Sequence, residues 1–197
     1  MTCIIGYIDK VERKMYMLGD SAGVYDYEIT IRKDKKVFKR NIKISNEEII
    51  EVLIGFTSSF RMGQILMFCD LPEMPKSIDE FEYLVKIFVP HLMHIFKDQN
   101  YLQSYQGDWN EQAKGGTFLI AINGRLFCIE DDFQIREVYQ CYDSIGCGEF
   151  YAITALQVMS DIENNMTVEQ KILKAAKIAA FNNAGVREPF NIVMTDY

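Results

Sequence analysis

Apolar residues in this chain recur at helical spacing in two separate pairs of segments, and at strand spacing before, between and after those pairs. In the first pair, Met62, Ile65, Leu66 and Cys69 follow Thr57-Ser58-Ser59, where Ser58 or Ser59 offers a cap. Phe81, Leu84, Val85, Phe88, Leu92 and Ile95 then follow the capping-box pattern Ser77-Ile78-Asp79-Glu80. Pro90 has no N–H to give, so it is expected to kink or split that second helix near Val89. In the second pair, Ala152, Ala155, Leu156 and Met159 stripe a helix over 149–162. A helix over 168–183 opens on Thr167 with Gln170 three residues on, and carries Lys171, Lys174 and Lys177 on its wet face. Strands are expected over 2–9 and 14–20 as a hairpin, 25–31 and 36–38 as a shorter pair, and 51–56. Segments 117–122 and 125–129 flank Asn123-Gly124, a type I′ turn signal; 135–139 and a central strand over 190–195 complete the set. Two helices in succession on each side disfavour a parallel βαβ sheet. Two central sheets, each covered by a helix pair, would bury every stripe, so the expected fold is α+β, a four-layer αββα sandwich. With 197 residues, 49% of them hydrophobic, and no linker-like stretch, it is expected to form one domain over 1–197.

Charge and composition remove several function classes. A net charge of −7 argues against nucleic acid and against an anionic membrane surface, both of which need clustered cations. The one basic run, 32–40, reads as a solvated hairpin. The five cysteines (Cys3, Cys69, Cys128, Cys141, Cys147) lack C-x-x-C spacing, so neither a disulfide framework nor a zinc site is indicated. His91 and His94 lie one helical turn apart without a third ligand nearby and read as structural. No metal and no cofactor are expected. The cysteine pattern fits a reducing cytoplasm best, and because no stretch has the ~18 apolar residues of a membrane helix and the segment after Met1 lacks the layout of a secretory signal, a soluble, cytoplasmic protein is expected. Residues 98–116 are polar yet aromatic (Tyr101, Tyr105, Trp109), and long for a loop; they read first as a packed insertion, otherwise as a lid or partner surface.

Chemistry concentrates at the first residues. Removal of Met1 would leave Thr2 with an α-amine and a β-hydroxyl on adjacent carbons, a base and a nucleophile in one residue. An α-amine titrates at roughly 7.7–8.0, so part of it is unprotonated near neutrality. The stiff β-branched side chain holds Oγ in place. The run from Thr2 through the charged turn 9–14 to Leu18-Gly19-Asp20 and on to Gly23 resembles the start of proteasome β subunits and of bacterial HslV, N-terminal-nucleophile threonine peptidases of αββα fold. Ser144-Ile145-Gly146-Cys147-Gly148-Glu149 is similar to their Gly-Ser-Gly turn into a helix, with Cys147 at the serine position.

What this resemblance implies is specific. Thr2 would be the nucleophile, Lys36 (followed by Val37-Phe38) would acidify it, and Asp20 would hold the lysine. Cys147 would serve as a weaker donor than the usual serine. The segment 54–58 matches the strand end whose backbone N–H forms the oxyanion hole, so Gly55, Thr57 and Gly146 would bind substrate, with Val24 on the pocket wall and Thr57 where a small residue is usual. No Asp aligns with the family's C-terminal Asp; the chain offers Asn182-Asn183-Ala184-Gly185. The implied activity is hydrolysis of peptides or unfolded protein in a homo-oligomeric ring, with an unfolding ATPase as a partner. Two alternatives stay open: an inactive ring or scaffold protein, motivated by Cys147 and the missing Asp, and an amidase for a small molecule. Cys3 is the competing nucleophile, disfavoured because alternation turns it to the opposite face from Thr2. A homo-oligomer is also expected because Tyr83, Ile87, Val89, Met93 and Phe96 add a second apolar face to the helix from Ser77.

Overall fold

The computed structural model describes residues 1–44, 48–101, 115–162 and 165–197. Two antiparallel sheets lie face to face. The first runs β10 (Tyr142–Ile145), β1 (Ile4–Asp9), β2 (Lys14–Gly19), β11 (Asn191–Asp196). The second runs β5 (Val37–Ile44), β6 (Glu48–Phe56), β7 (Phe118–Ile122), β8 (Arg125–Ile129), β9 (Ile135–Glu137). Strand alternation sorts the side chains into three apolar layers. Ile4, Ile8, Met15 and Met17 meet Val37, Leu53, Leu119 and Ala121 between the sheets. Ile5 and Leu18, on the reverse of β1 and β2, pack on α4 (Glu149–Asp161) and α5 (Val168–Asn182) through Ala152, Leu156, Ala175 and Ala176. Ile54, Phe118, Ile120 and Phe127 pack under α1 (Phe60–Phe68) and α3 (Val89–Asp98) through Met62, Leu66 and Leu92. Three apolar layers between four slabs make the expected αββα sandwich. Gly6 allows the sheets to close, since a Cβ there would come 2.7 Å from Leu126 Cδ1.

Several element boundaries differ from expectation for identifiable reasons. Residues 25–31 do not form one strand: β3 (Ala22–Tyr25) turns at Asp26-Tyr27, with Asp26 at φ 49°, into β4 (Glu28–Ile31). The partner of β5 is β6, and the basic run 32–40, which leads into β5, is not a solvated hairpin, because Lys36, Val37 and Phe38 are buried. The short β10 is an added strand; its polar Asp143-Ser144 hid it from a hydrophobicity reading, yet it pairs along β1 and is buried. β11 is an edge strand beside β2, with Met194 exposed, and not central. Ser59 caps α1, accepting from the Met62 N–H. The cap of the next helix is Asp79, not Ser77: its carboxylate accepts from the Glu82 N–H, opening α2 (Glu80–Tyr83). Pro90 splits this helix as expected, through a π-helical turn over Leu84–Phe88 in which the Val89 N–H reaches back to Leu84. The extra residue rotates the buried face, so Tyr83, Val89 and Phe96 enter the core while Phe81 and Val85 are exposed. Thr167 and Gln170 form the expected capping box, and Asn123 (φ 47°) with Gly124 (φ 76°) the expected turn. Tyr105 and Trp109 of the 98–116 insertion lie outside the described residues.

Candidate active site

The loop after β2 and the start of β5 converge on the chain start. Register pairs Ile4 with Gly19, and the Asp20 N–H donates to the Cys3 carbonyl at 3.3 Å, which sets Asp20 beside Thr2. Gly19 lets β5 begin against it, since a Cβ there would lie 3.0 Å from Val37 Cγ1 and 3.4 Å from Lys36 Cβ. Lys36 Nζ donates to Asp20 Oδ1 at 2.8 Å and to Thr2 Oγ1 at 2.9 Å. The Lys36 and Asp20 side chains are 1% and 0% exposed. A pair this deep survives only if its remaining lone pairs are satisfied. They are, by the N–H groups of Cys3 at 3.0 Å on Oδ1 and of Ala22 at 2.9 Å and Arg187 at 3.2 Å on Oδ2. Burial pushes the Lys36 ammonium below its ordinary pKa, against the opposing pull of Asp20.

The other side of Thr2 is held by the turn into α4. Gly146 takes φ 97°, and a Cβ on it would come 2.4 Å from the Thr2 carbonyl oxygen, so only glycine fits. The Gly148 N–H donates to the same carbonyl at 3.2 Å. The Thr2 N–H, an amide with Met1 attached and standing where an α-amine would be, donates to Cys147 Sγ at 3.2 Å. The Cys147 thiol donates to Asn183 Oδ1 at 3.2 Å, and Asn183 Nδ2 donates to the Cys147 carbonyl at 2.8 Å. Thr2 Oγ1 donates to the Met1 carbonyl. Met1 packs on Gly185, whose N–H bonds Asn183 Oδ1 at 2.8 Å.

Two recesses adjoin the chain start and share Met1, Thr57 and Ser58. One is small and is lined besides by Thr2, Val24, Lys36, Phe56 and Phe60; the other is a larger cleft with Gly146 and Cys147 in its wall. The Thr57 N–H is taken by the Thr117 carbonyl at 3.0 Å. Ser58, at φ 74°, shows an N–H with no acceptor among the described residues, while its Oγ accepts from the Thr117 N–H at 3.4 Å. Gly55 lies a layer away: it pairs with Val37 and Leu119, and a Cβ on it would meet Ile4 and Met17 at 2.6 Å, so it serves the packing between the sheets and not the pocket. Cys3 faces the α4/α5 layer, away from both recesses, and burial pushes its thiol up to about 12, which disqualifies it as a thiolate nucleophile. His91 bonds the Asp70 carbonyl at 2.9 Å and His94 pairs with Asp98; no cluster able to hold a metal occurs among the described residues.

The structure therefore brings together Thr2, Asp20, Lys36, Cys147, Gly146, Thr57 and Val24, and leaves Gly55 out. Asn183 belongs to the segment that stands in place of the family's C-terminal Asp, and Ser58 ends the segment 54–58 matched to the oxyanion strand, but the sequence assigns neither a role of its own. Asn183 had a signal, an Asn at the end of a helical pattern two residues before a Gly, which is a cap and turn position. Within 54–58 nothing pointed to the Ser58 N–H rather than another, because a left-handed serine is invisible in sequence.

No protein-family model matches the sequence, and a search of curated proteins finds no match. Solved structures do match over the whole chain. BPH from Thiobacillus denitrificans, in complex with epoxomicin, superposes with a TM-score of 0.70 at 15% identity, covering 99% of this chain and 98% of that one. Eukaryotic HslV from Trypanosoma brucei gives 0.66 at 15%, covering all of both chains. The Anbu complex from Pseudomonas aeruginosa, a helical assembly, gives 0.66 at 12%, covering all of this chain and 81% of that one. At such identities the likeness establishes fold, and the fold is that of HslV and proteasome-like N-terminal-nucleophile hydrolases.

Proposed function

We propose that this chain is an N-terminal threonine peptidase whose nucleophile is Thr2, exposed once Met1 has been removed. The observation that carries the reading is Lys36, a buried ammonium bridging Thr2 Oγ1 and Asp20 Oδ1. A positive charge 2.9 Å from a hydroxyl oxygen favours its alkoxide-like form and lowers the pKa of a neighbouring amine. The freed α-amine takes the Oγ1 proton as Oγ1 attacks the scissile carbonyl carbon. The Ser58 N–H, with no internal acceptor, receives the developing oxyanion. Collapse expels the leaving amine with the proton held by the α-amine, leaving an acyl ester on Thr2, and a water activated by the same amine hydrolyses it. Asp20 and Asn183 position: the first holds Lys36, the second holds the Cys147 turn. Peptides or unfolded segments are the substrates, the assembly is a homo-oligomeric ring, and an ATPase is a fitting partner for supplying unfolded chain.

A second reading, a catalytically silent ring subunit, is favoured by one observation. The Thr2 nitrogen donates to a thiol, and that thiol is held by a carboxamide, with no carboxylate among the hydrogen-bond partners of Cys147 in the described residues. Intact mass with and without an electrophilic peptide separates the two. The peptidase reading expects loss of Met1, a covalent adduct on Thr2 and hydrolysis of a fluorogenic peptide, all adduct and turnover vanishing in Thr2→Ala. Turnover by protein that retains Met1 would overturn the mechanism; a mature protein that forms no adduct and turns over nothing would establish the silent one.

A further inference from the structure

The larger cleft beside Thr2, about 560 Å³, is within the range of small-molecule and side-chain sites. Its walls include Glu130, Arg136, Asp143 and Glu149, three carboxylates against one guanidinium. Arg136 is committed to two of them, 2.9 Å from Asp143 Oδ2 and 3.6 Å from Glu130 Oε1. Asp143 is more than nine-tenths buried; its Oδ1 accepts from the Ser144 N–H at 2.8 Å, while its Oδ2 has the Arg136 ion pair and no further donor among the described residues. Glu149 forms no salt bridge among the described residues, and burial, helped by the neighbouring Asp143 and Glu130 and opposed by the Gly146 N–H and by Arg136, pushes its carboxyl above the ordinary value. The cleft thus holds three carboxylates against one guanidinium in a partly enclosed place, with Arg136 shared between two of them and a buried carboxylate oxygen, Asp143 Oδ2, that has room for a second cationic donor.

Its position tells which half of a substrate enters. The Thr2 nitrogen donates to Cys147, a lining residue of this cleft, whereas Lys36, Val24 and Phe60 line only the small recess; Met1, Thr57 and Ser58 are common to both. On the mechanism above, the leaving amine collects its proton from that nitrogen and so departs on the Cys147 side. We propose that this cleft receives the leaving-group half of the peptide and selects an arginine or lysine side chain there. The planar guanidinium offers forked donors to carboxylate oxygens, and a lysine ammonium offers a point charge. This inference rests on the threonine-peptidase reading for its direction, and its test is separable from it.

The probes are C-terminally labelled tetrapeptides that differ only at the first residue, Arg, Met or Glu, each a mimic of a released leaving group. Binding is followed by fluorescence anisotropy to wild type and to Thr2→Ala, so no turnover is needed. Arg is expected to bind at least about tenfold tighter than Met, and Glu weaker than Met, with the spread shrinking as salt screens the cleft. Glu149→Gln and Glu130→Gln should each bring the Arg-to-Met ratio towards one. Equal affinity for the three peptides, or a preference for Glu, overturns the assignment. A wild type that hydrolyses no peptide sinks the peptidase reading instead, while the order of affinities still decides what the cleft takes.

Discussion

Lys36 is the side chain with most at stake in the native state, because its charge is out of reach of solvent and depends wholly on Asp20. Truncation in Lys36→Met would leave Asp20 with three backbone donors but no counter-charge. A loss of about 3 kcal/mol, the lower end for breaking a buried pair, is expected in denaturant unfolding, along with a fall in hydrolysis of about a hundredfold or more. Undiminished stability would show that the pair is not formed in solution. Cys3 makes a pH prediction. Its thiol stays neutral in the fold up to about 12, whereas the unfolded chain releases that proton from about 9.0. Above the lower value the unfolded state binds fewer protons, so stability falls as pH rises through this window, by up to roughly 4 kcal/mol. Cys3→Ala should be less stable at neutral pH and lose less between pH 9 and 11; parallel curves for the two proteins would refute the assignment. At Cys147, replacing the thiol with a hydroxyl strengthens the bonds to the Thr2 nitrogen and Asn183, so Cys147→Ser should retain or raise the turnover of a fluorogenic peptide. Complete loss would give the thiol a role of its own. Much of this site was legible through the resemblance, which picks out Thr2, Asp20 and Lys36 by their order and spacing along the chain. The donors were less so, since Gly55 and Ser58 differ by three positions and only backbone conformation tells which N–H is free.

Elements with a strong local code came through from sequence, and those dictated by neighbours did not. Asn123-Gly124 and Thr167 with Gln170 need nothing beyond their own chemistry, so hairpin and cap stand where expected. β10 is a strand because β1 offers it an edge, and the π turn over Leu84–Phe88 exists because Pro90 follows it; neither leaves a periodic trace. The turn between β10 and α4 joins local code to function. Gly146→Ala must put a methyl group against the Thr2 carbonyl in a backbone region that L residues avoid. The conformational part alone costs about 1–2 kcal/mol. The carbonyl has to move, and Thr2 with it. Thermal unfolding is expected to fall by several degrees, and hydrolysis to drop much further than stability does. Normal turnover in Gly146→Ala would mean that the turn does not position the nucleophile.

At the scale of the molecule the open question is what covers the apolar surface left outside the sandwich. The helix that includes α3 is a weaker motive for assembly than its composition suggested, since Tyr83, Val89 and Phe96 are buried in the chain's own core. The β3–β4 hairpin is a stronger one. It is a two-stranded sheet with Tyr25 78% exposed, Tyr27 fully so, and Ile29 and Ile31 open as well. A lone two-stranded hairpin is marginal in water, and this one also presents aromatic and branched side chains to it. A second copy of the chain against this hairpin would order it, and Val24, on the same hairpin, lines the recess beside Thr2. Assembly and substrate binding are then coupled through one short element. Light scattering coupled to gel filtration at micromolar concentration should find a homo-oligomer for the wild type. Tyr27→Asp should shift it towards smaller species and lower the turnover in parallel, although Tyr27 is not among the residues lining either recess. A wild-type monomer of 22.9 kDa across a wide concentration range would defeat the oligomer outright. A Tyr27→Asp protein that dissociates yet hydrolyses peptide at the full rate would break only the coupling, leaving the hairpin an interface with no part in the site.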